Sequence, residues 1–185
     1  MGMLALDIET GNYSHDIGGF RNTYLFEPTV VATWDGDNGH VFSKQDIEMT
    51  TAEVHELHPR TLGDHLQKHI DKGDMILGHN LTLFDLPVLR DSLDCMEAGE
   101  VLSKSKESIF DTSIILRSLI GHAIPLDDTV KHTLGKSKLM SSSDAPLQWR
   151  LGQYDNVAKY CLEDARLVYD LWSHGKAEGF VKARC

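Results

Sequence analysis

A mixed α/β sheet of five strands with helices on both faces is the fold predicted by the 185-residue chain. Three observations lead there. Short β-branched or apolar runs are bounded by turn residues, the mark of strands. The first such runs follow one another through a tight turn, whereas the later ones alternate with segments of helical period. A content of 41% hydrophobic and 25% charged residues is that of a globular chain large enough to bury a core.

The elements follow in order. Leu4-Ala5-Leu6-Asp7-Ile8 reads as a buried strand that runs into acidic residues, and residues 10–22, rich in Gly, Asn and Ser, as a loop. Thr29–Trp34 is a β-branched strand. The turn Asp35-Gly36-Asp37-Asn38-Gly39 sends it back along His40-Val41-Phe42, so the first three strands form an antiparallel meander. Leu62, Leu66 and Ile70 give a helix over Thr61–Asp71, closed by Gly73. Met75–Gly78 is the fourth strand, with Gly78 marking a tight approach. A helix follows from Asp85 to Ala98, with Pro87 in its first turn. Ser108-Ile109-Phe110 is the fifth strand. Helices are expected at Thr112–Ile120, at Leu126–Leu134 (stopped by Gly135) and at Gln153–Ser173. No repeat or linker divides the chain, so residues 1–185 are read as one domain.

Several function classes are disfavoured. No apolar run is long enough for a membrane span, and the first residues lack the basic start of a signal peptide. Cys95, Cys161 and Cys185 are odd in number and far apart, which points to a reducing, cytoplasmic setting. No glycine pattern for a nucleotide cofactor occurs.

The chemistry lies in carboxylates. Asp7 and Glu9 are i and i+2 on a strand and project to one face. Asp85 opens a helix just after a strand, where a plain helix cap is the alternative. Tyr160 and Asp164, at i and i+4, share one face of the last helix. Each signal is weak alone. Together they place acidic groups at the edges of three elements that can converge. Four carboxylates, Asp7, Glu9, Asp85 and Asp164, select a hard cation, Mg²⁺ or Mn²⁺. Two such ions, about 3.5–4 Å apart, are a common device for phosphodiester hydrolysis.

Asp7-Ile8-Glu9-Thr10, Asn80-x-x-x-Phe84-Asp85 and Tyr160-x-x-x-Asp164 resemble, in that order, the three motifs of the DEDDy branch of the DEDD 3′–5′ exonucleases. The likeness is greatest to the proofreading domains of family B DNA polymerases and their stand-alone relatives, and it runs over nearly the whole chain. The sister branch carries His five residues before the last Asp. Lys159 stands there, and Tyr160 stands four before. The resemblance implies a ribonuclease H-like fold and stepwise hydrolysis from a 3′ end to nucleoside 5′-monophosphates. Asp7, Glu9, Asp85 and Asp164 would hold two Mg²⁺ or Mn²⁺ ions, and Tyr160 would orient the attacking water. Thr10 would lie near the 3′ end, Asn80 would hydrogen-bond the terminal nucleotides and Phe84 would stack on them. Single-stranded DNA is slightly favoured. RNA, as for RNase D-type enzymes, is the alternative, and a non-catalytic nucleic-acid-binding module is the rival outside catalysis.

Charge qualifies this expectation. The net charge is −10, but residues 1–100 hold 6 basic against 18 acidic side chains and residues 101–185 hold 12 against 10. Nucleic-acid affinity should therefore be weak outside a local basic groove, and a helicase, polymerase or other repair or replication protein is expected to deliver the substrate. Lys131, Lys136 and Lys138 are candidates for phosphate contact, Lys138 foremost, with solvated helix-end lysines as the alternative. Asp111-Thr112, Leu126-Asp127-Asp128 and Leu134-Gly135-Lys136-Ser137-Lys138 also resemble stretches of stand-alone family members. Tyr13, Phe20 and Tyr24 read as core or loop packing before base stacking. His55/His58 and His65/His69 have zinc-compatible spacing, but they read as surface histidines because no Cys or HExxH motif accompanies them.

Overall fold

The protein is described by a computed structural model over residues Gly2–Arg184. Its centre is a six-stranded mixed sheet. The strands are β1 (Met3–Thr10), β2 (Pro28–Trp34), β3 (Gly39–Ser43), β4 (Glu53–Glu56), β5 (Met75–Gly78) and β6 (Ile109–Asp111), in the spatial order β4-β3-β2-β1-β5-β6. β1, β2 and β3 form the antiparallel meander, while β4, β5 and β6 each join their neighbour in parallel.

Five strands were expected and six are present. The added one is β4, whose sequence Glu-Val-His-Glu has neither an apolar run nor a buried face. As an edge strand it takes its order from backbone pairing to β3.

The helices are α1 (Pro59–Asp71), α2 (Asp85–Ser92), α3 (Met96–Ser103), α4 (Ser105–Ser108), α5 (Thr112–Ile120), α6 (Leu126–Leu134), α7 (Ala145–Arg150) and α8 (Tyr154–Glu178). The single helix expected over 85–98 is broken in two, because Asp94 takes the left-handed conformation (φ 57°) and turns the chain. α5 and α6 have the expected bounds, and Gly135 (φ 68°) ends α6. α7 was not anticipated, and α8 outruns its expected end by a turn and more.

The alternation of β1 builds two cores. Met3 and Ala5 pack with α6 and α8 through Val130, Val157, Cys161 and Val168. Leu4, Leu6 and Ile8 pack on the opposite face with α1, α2 and α3 through Leu62, Leu66, Leu86 and Ala98. Asp7 and Glu9 continue the first series, so the strand that fills the core with Met3 and Ala5 points its carboxylates at α8. Among the described residues, no helix is long and apolar enough to cross a membrane.

Candidate functional site

The end of β1 meets the middle of α8. The Cys161 thiol donates to the Asp7 carbonyl oxygen (3.3 Å) and holds the helix against the strand at that point. One residue before and three after Cys161, Tyr160 and Asp164 face the Asp7 and Glu9 side chains. Ligand oxygens of Asp7, Glu9 and Asp164 all lie within 4.8 Å of one another. Asp85, the first residue of α2, lines the same cleft from across β1. The cleft has a volume of about 1160 Å³.

These acids are poorly hydrated. Glu9, Asp85 and Asp164 are buried, and Asp7 is half-buried with its Oδ2 closed off from solvent. Asp7 Oδ2, Asp164 Oδ1 and the Tyr160 hydroxyl are enclosed without a hydrogen-bond partner. Unsatisfied buried polar atoms are rare and costly, and three of them face one cleft.

Burial, then the charge of Asp164, pushes the Asp7 and Glu9 carboxyls well above their ordinary range. Burial raises Asp85 to about 7, with Asp111 adding to the rise. Asp164 is also raised by burial, although the nearby Lys138 acts against it. The Tyr160 hydroxyl is held neutral by burial and then by Asp164, Glu9 and Asp7. Such a group of acids, short of water and of donors, fits a divalent cation.

One protein cation is present. Lys138 Nζ lies 2.5 Å from Asp164 Oδ2 and 5.2 Å from the centre of the Tyr160 ring. Lys138 comes from the loop after α6, and its backbone N–H donates to Asp127 Oδ1 (3.1 Å). Two stretches singled out in the sequence, around Asp127 and around Lys138, are thus tied to each other at the cleft. Lys136 turns away to pair with Asp170 (2.7 Å), and Lys131 is exposed.

Asn80, Phe84 and Thr10 line the cleft as well. Asn80 has φ 74°, in the left-handed region. Asp111 stabilises that turn: its carboxylate accepts from the backbone N–H groups of Asn80 (3.0 Å) and Thr82 (2.9 Å), and from Ser113 and Ile114 at the start of α5. Gly78 lies just before, and a Cβ there would meet Leu81 at 2.9 Å. The Phe84 ring stands edge-on to Phe26 (5.0 Å) and Phe20 (5.7 Å). Thr10 Oγ1 donates to the Asn12 carbonyl (3.0 Å).

The sequence-expected residues Asp7, Glu9, Thr10, Asn80, Phe84, Asp85, Lys138 and Asp164 all line the cleft, with Tyr160 buried behind them. Phe20 packs on Phe26 and Phe84 as expected of a loop aromatic, though it is 64% exposed at the cleft wall, whereas Tyr24 is 63% exposed.

His79, at the cleft, and Asp111, behind the Asn80 turn that lines it, had no role assigned from sequence. His79 bridges Thr112 Oγ1 and the Ile124 carbonyl (2.9 Å each), holding the strand end to the start of α6. Asp111 was noticed only as part of a pair with Thr112. Its signal was an acid between a strand and a helix, where capping is the ordinary role.

No family model and no curated protein matches this chain.

Proposed function

We propose that the chain is a ribonuclease H-like, DEDDy-type 3′→5′ exonuclease that depends on Mg²⁺ or Mn²⁺. The observation that carries this reading is the convergence of Asp7, Glu9 and Asp164 within 4.8 Å, beside Asp85 and a buried tyrosine. The three motifs that suggested the family lie far apart in sequence and meet at one cleft.

Asp7, Glu9, Asp85 and Asp164 would hold the ions, and the enclosed, unpartnered oxygens of Asp7 and Asp164 fit that role. When bound, the cations supply charge neutralisation and Lewis acidity at the scissile phosphate. The neutral Tyr160 hydroxyl, free of protein partners, orients the attacking water by a hydrogen bond. Asn80 hydrogen-bonds the terminal nucleotide, Phe84 stacks on its base, and Thr10 borders the 3′ end. The Lys138 ammonium, paired to Asp164 and 16% exposed at the cleft, would be the protein cation that meets a substrate phosphate. The substrate is single-stranded nucleic acid, DNA first because the motifs are most similar to proofreading domains. A replication or repair protein would bring it to this acidic surface.

The test is digestion of matched 5′-labelled DNA and RNA oligonucleotides with Mn²⁺ or Mg²⁺, beside the Asp7→Ala protein. A descending ladder, lost in the variant and with EDTA, is expected and identifies the preferred nucleic acid. Failure to cut either substrate, or equal cutting by folded Asp7→Ala, overturns the assignment.

A further inference from the structure

A second cluster of metal-binding side chains lies on the opposite face, at the β3–β4 edge. We infer that His40, Glu53 and His55 form a site for a nitrogen-preferring transition-metal ion, with Zn²⁺ the best fit. His40 and Glu53 are register partners in the parallel β3–β4 pair, and His55 is two residues beyond Glu53. All three side chains therefore project from one face.

The distances suit a single ion. His40 Nδ1 lies 3.1 Å from His55 Nε2 and 3.5 Å from Glu53 Oε2, and His55 Nε2 lies 3.8 Å from Glu53 Oε1. Metal–ligand bonds of about 2.0–2.1 Å in tetrahedral geometry separate donor atoms by roughly 3.3 Å. Two imidazoles and a carboxylate are a known zinc donor set that leaves a fourth position for water. Imidazole nitrogens discriminate against Mg²⁺ and Ca²⁺, which prefer oxygen ligands.

The rings are held in place before any ion arrives. His55 stacks on Phe42 (4.8 Å between centres), and His40 packs on His65 (4.6 Å). His65 is fixed in turn by a contact of its Nε2 with Thr33 Oγ1 (2.9 Å). Solvent reaches the cluster, since the His40 and His55 side chains are 24% and 23% exposed and Glu53 is 68% exposed. A bound ion would cross-link β4 to β3. It would thereby secure an edge strand of four residues that has no buried face of its own.

The experiment is calorimetric titration of the 185-residue chain with Zn²⁺ alone, repeated on His55→Ala, Glu53→Gln and Asp7→Asn. Glu53 is exposed, so Glu53→Gln retains the fold and keeps the test decisive if His55→Ala does not. Asp7→Asn is expected to keep one equivalent of Zn²⁺ that wild type also binds, any further equivalent in wild type belonging to the carboxylate cleft. The affinity of the ion at the histidine cluster should fall by roughly 100-fold or more in Glu53→Gln and at least as far in His55→Ala, since loss of a supporting partner of a ligand alone costs about 10–100-fold. Saturating Zn²⁺ should raise the melting temperature of wild type by roughly 2–4 °C and leave that of His55→Ala unmoved. The inference is overturned if wild type binds no Zn²⁺, if Glu53→Gln binds it as wild type does, or if binding is lost in Asp7→Asn alone.

Discussion

The two faces of the sheet offer metal ligands in opposite ways. At the end of β1, the carboxylates of Asp7, Glu9, Asp85 and Asp164 are crowded with little water and few donors, and they repel one another. At the β3–β4 edge, two imidazoles and an exposed carboxylate lie near solvent with no net burden of buried charge. The first arrangement is costly without cations, and that cost is what supports the metal site proposed there. The second costs little when empty, so an ion bound there would add a cross-link to a fold already formed. Oxygen donors and burial favour a hard cation at the first; nitrogen donors favour a softer one at the second.

The sharpest break between the two is functional. On the proposed function, Asp164→Asn should reduce exonuclease turnover by roughly 10³-fold or more, since it removes a charge on which the proposed cation site would depend. The same variant should keep its Zn²⁺ isotherm. Single-turnover cleavage beside the zinc titration measures both, and retained cleavage would remove the basis for separating the two regions by function.

Stability against pH comes next in size. A carboxyl whose folded pKa is above its unfolded value binds more protons when folded, so its contribution is present at low pH and is lost as pH rises through the folded pKa. For Asp85, raised from 3.8 to about 7, the loss falls between about pH 4 and pH 7. At about 1.4 kcal/mol per pH unit its full size is about 4 kcal/mol. Urea unfolding in EDTA should show this decline towards pH 8. Asp85→Asn should flatten it, and Mn²⁺ should reverse it, because cation binding improves as the acids deprotonate. A wild-type profile that rises from pH 5 to pH 8 in EDTA would contradict the burial argument for this face.

The legibility of the chain follows the same division. Asp7 and Glu9 were placed by the two-residue period of an apolar strand, and Tyr160 and Asp164 by the four-residue period of an amphipathic helix. Both periods are set by core packing on Met3, Ala5, Val157 and Cys161. The histidine site had no such signal. His40, Glu53 and His55 are brought together by the register of a polar edge strand, which backbone pairing fixes and side-chain pattern does not. The helical spacing of His55 and His58 was misleading, because His55 is on β4 and His58 caps α1. His65 and His69, read as surface residues, lie on the buried side of α1 instead, His65 in contact with Thr33 of β2 and His69 with Asp74. The break at Asp94 depended on one left-handed residue, a conformation that Asp tolerates without announcing it.

Lys138 is the internal cation of the carboxylate face, and its removal should matter most when no metal is present. Lys138→Met leaves Asp164 buried without its partner, at a cost of about 3 kcal/mol in EDTA near pH 8. Protonation of Asp164 relieves that cost at lower pH, and Mn²⁺ relieves it at pH 8 by taking over the neutralisation. Melting curves at pH 5.5 and pH 8, with and without Mn²⁺, separate these effects. An equal loss under every condition would mean that the lysine acts by packing alone.

The smallest effect tests how the cleft is held together. Asp111 caps α5 and accepts the Asn80 and Thr82 N–H groups, so Asp111→Ala frees several backbone donors at once. Loss of the cap alone is worth about 1–2 kcal/mol. If Asp111 acts by positioning Asn80, the variant should raise KM for a single-stranded oligonucleotide more than it lowers kcat. Asp111→Asn, which keeps one acceptor oxygen of the two, should restore part of both stability and KM. A fall in kcat with unchanged KM would place Asp111 with the four carboxylates instead, and would widen the acidic face at the expense of the substrate wall.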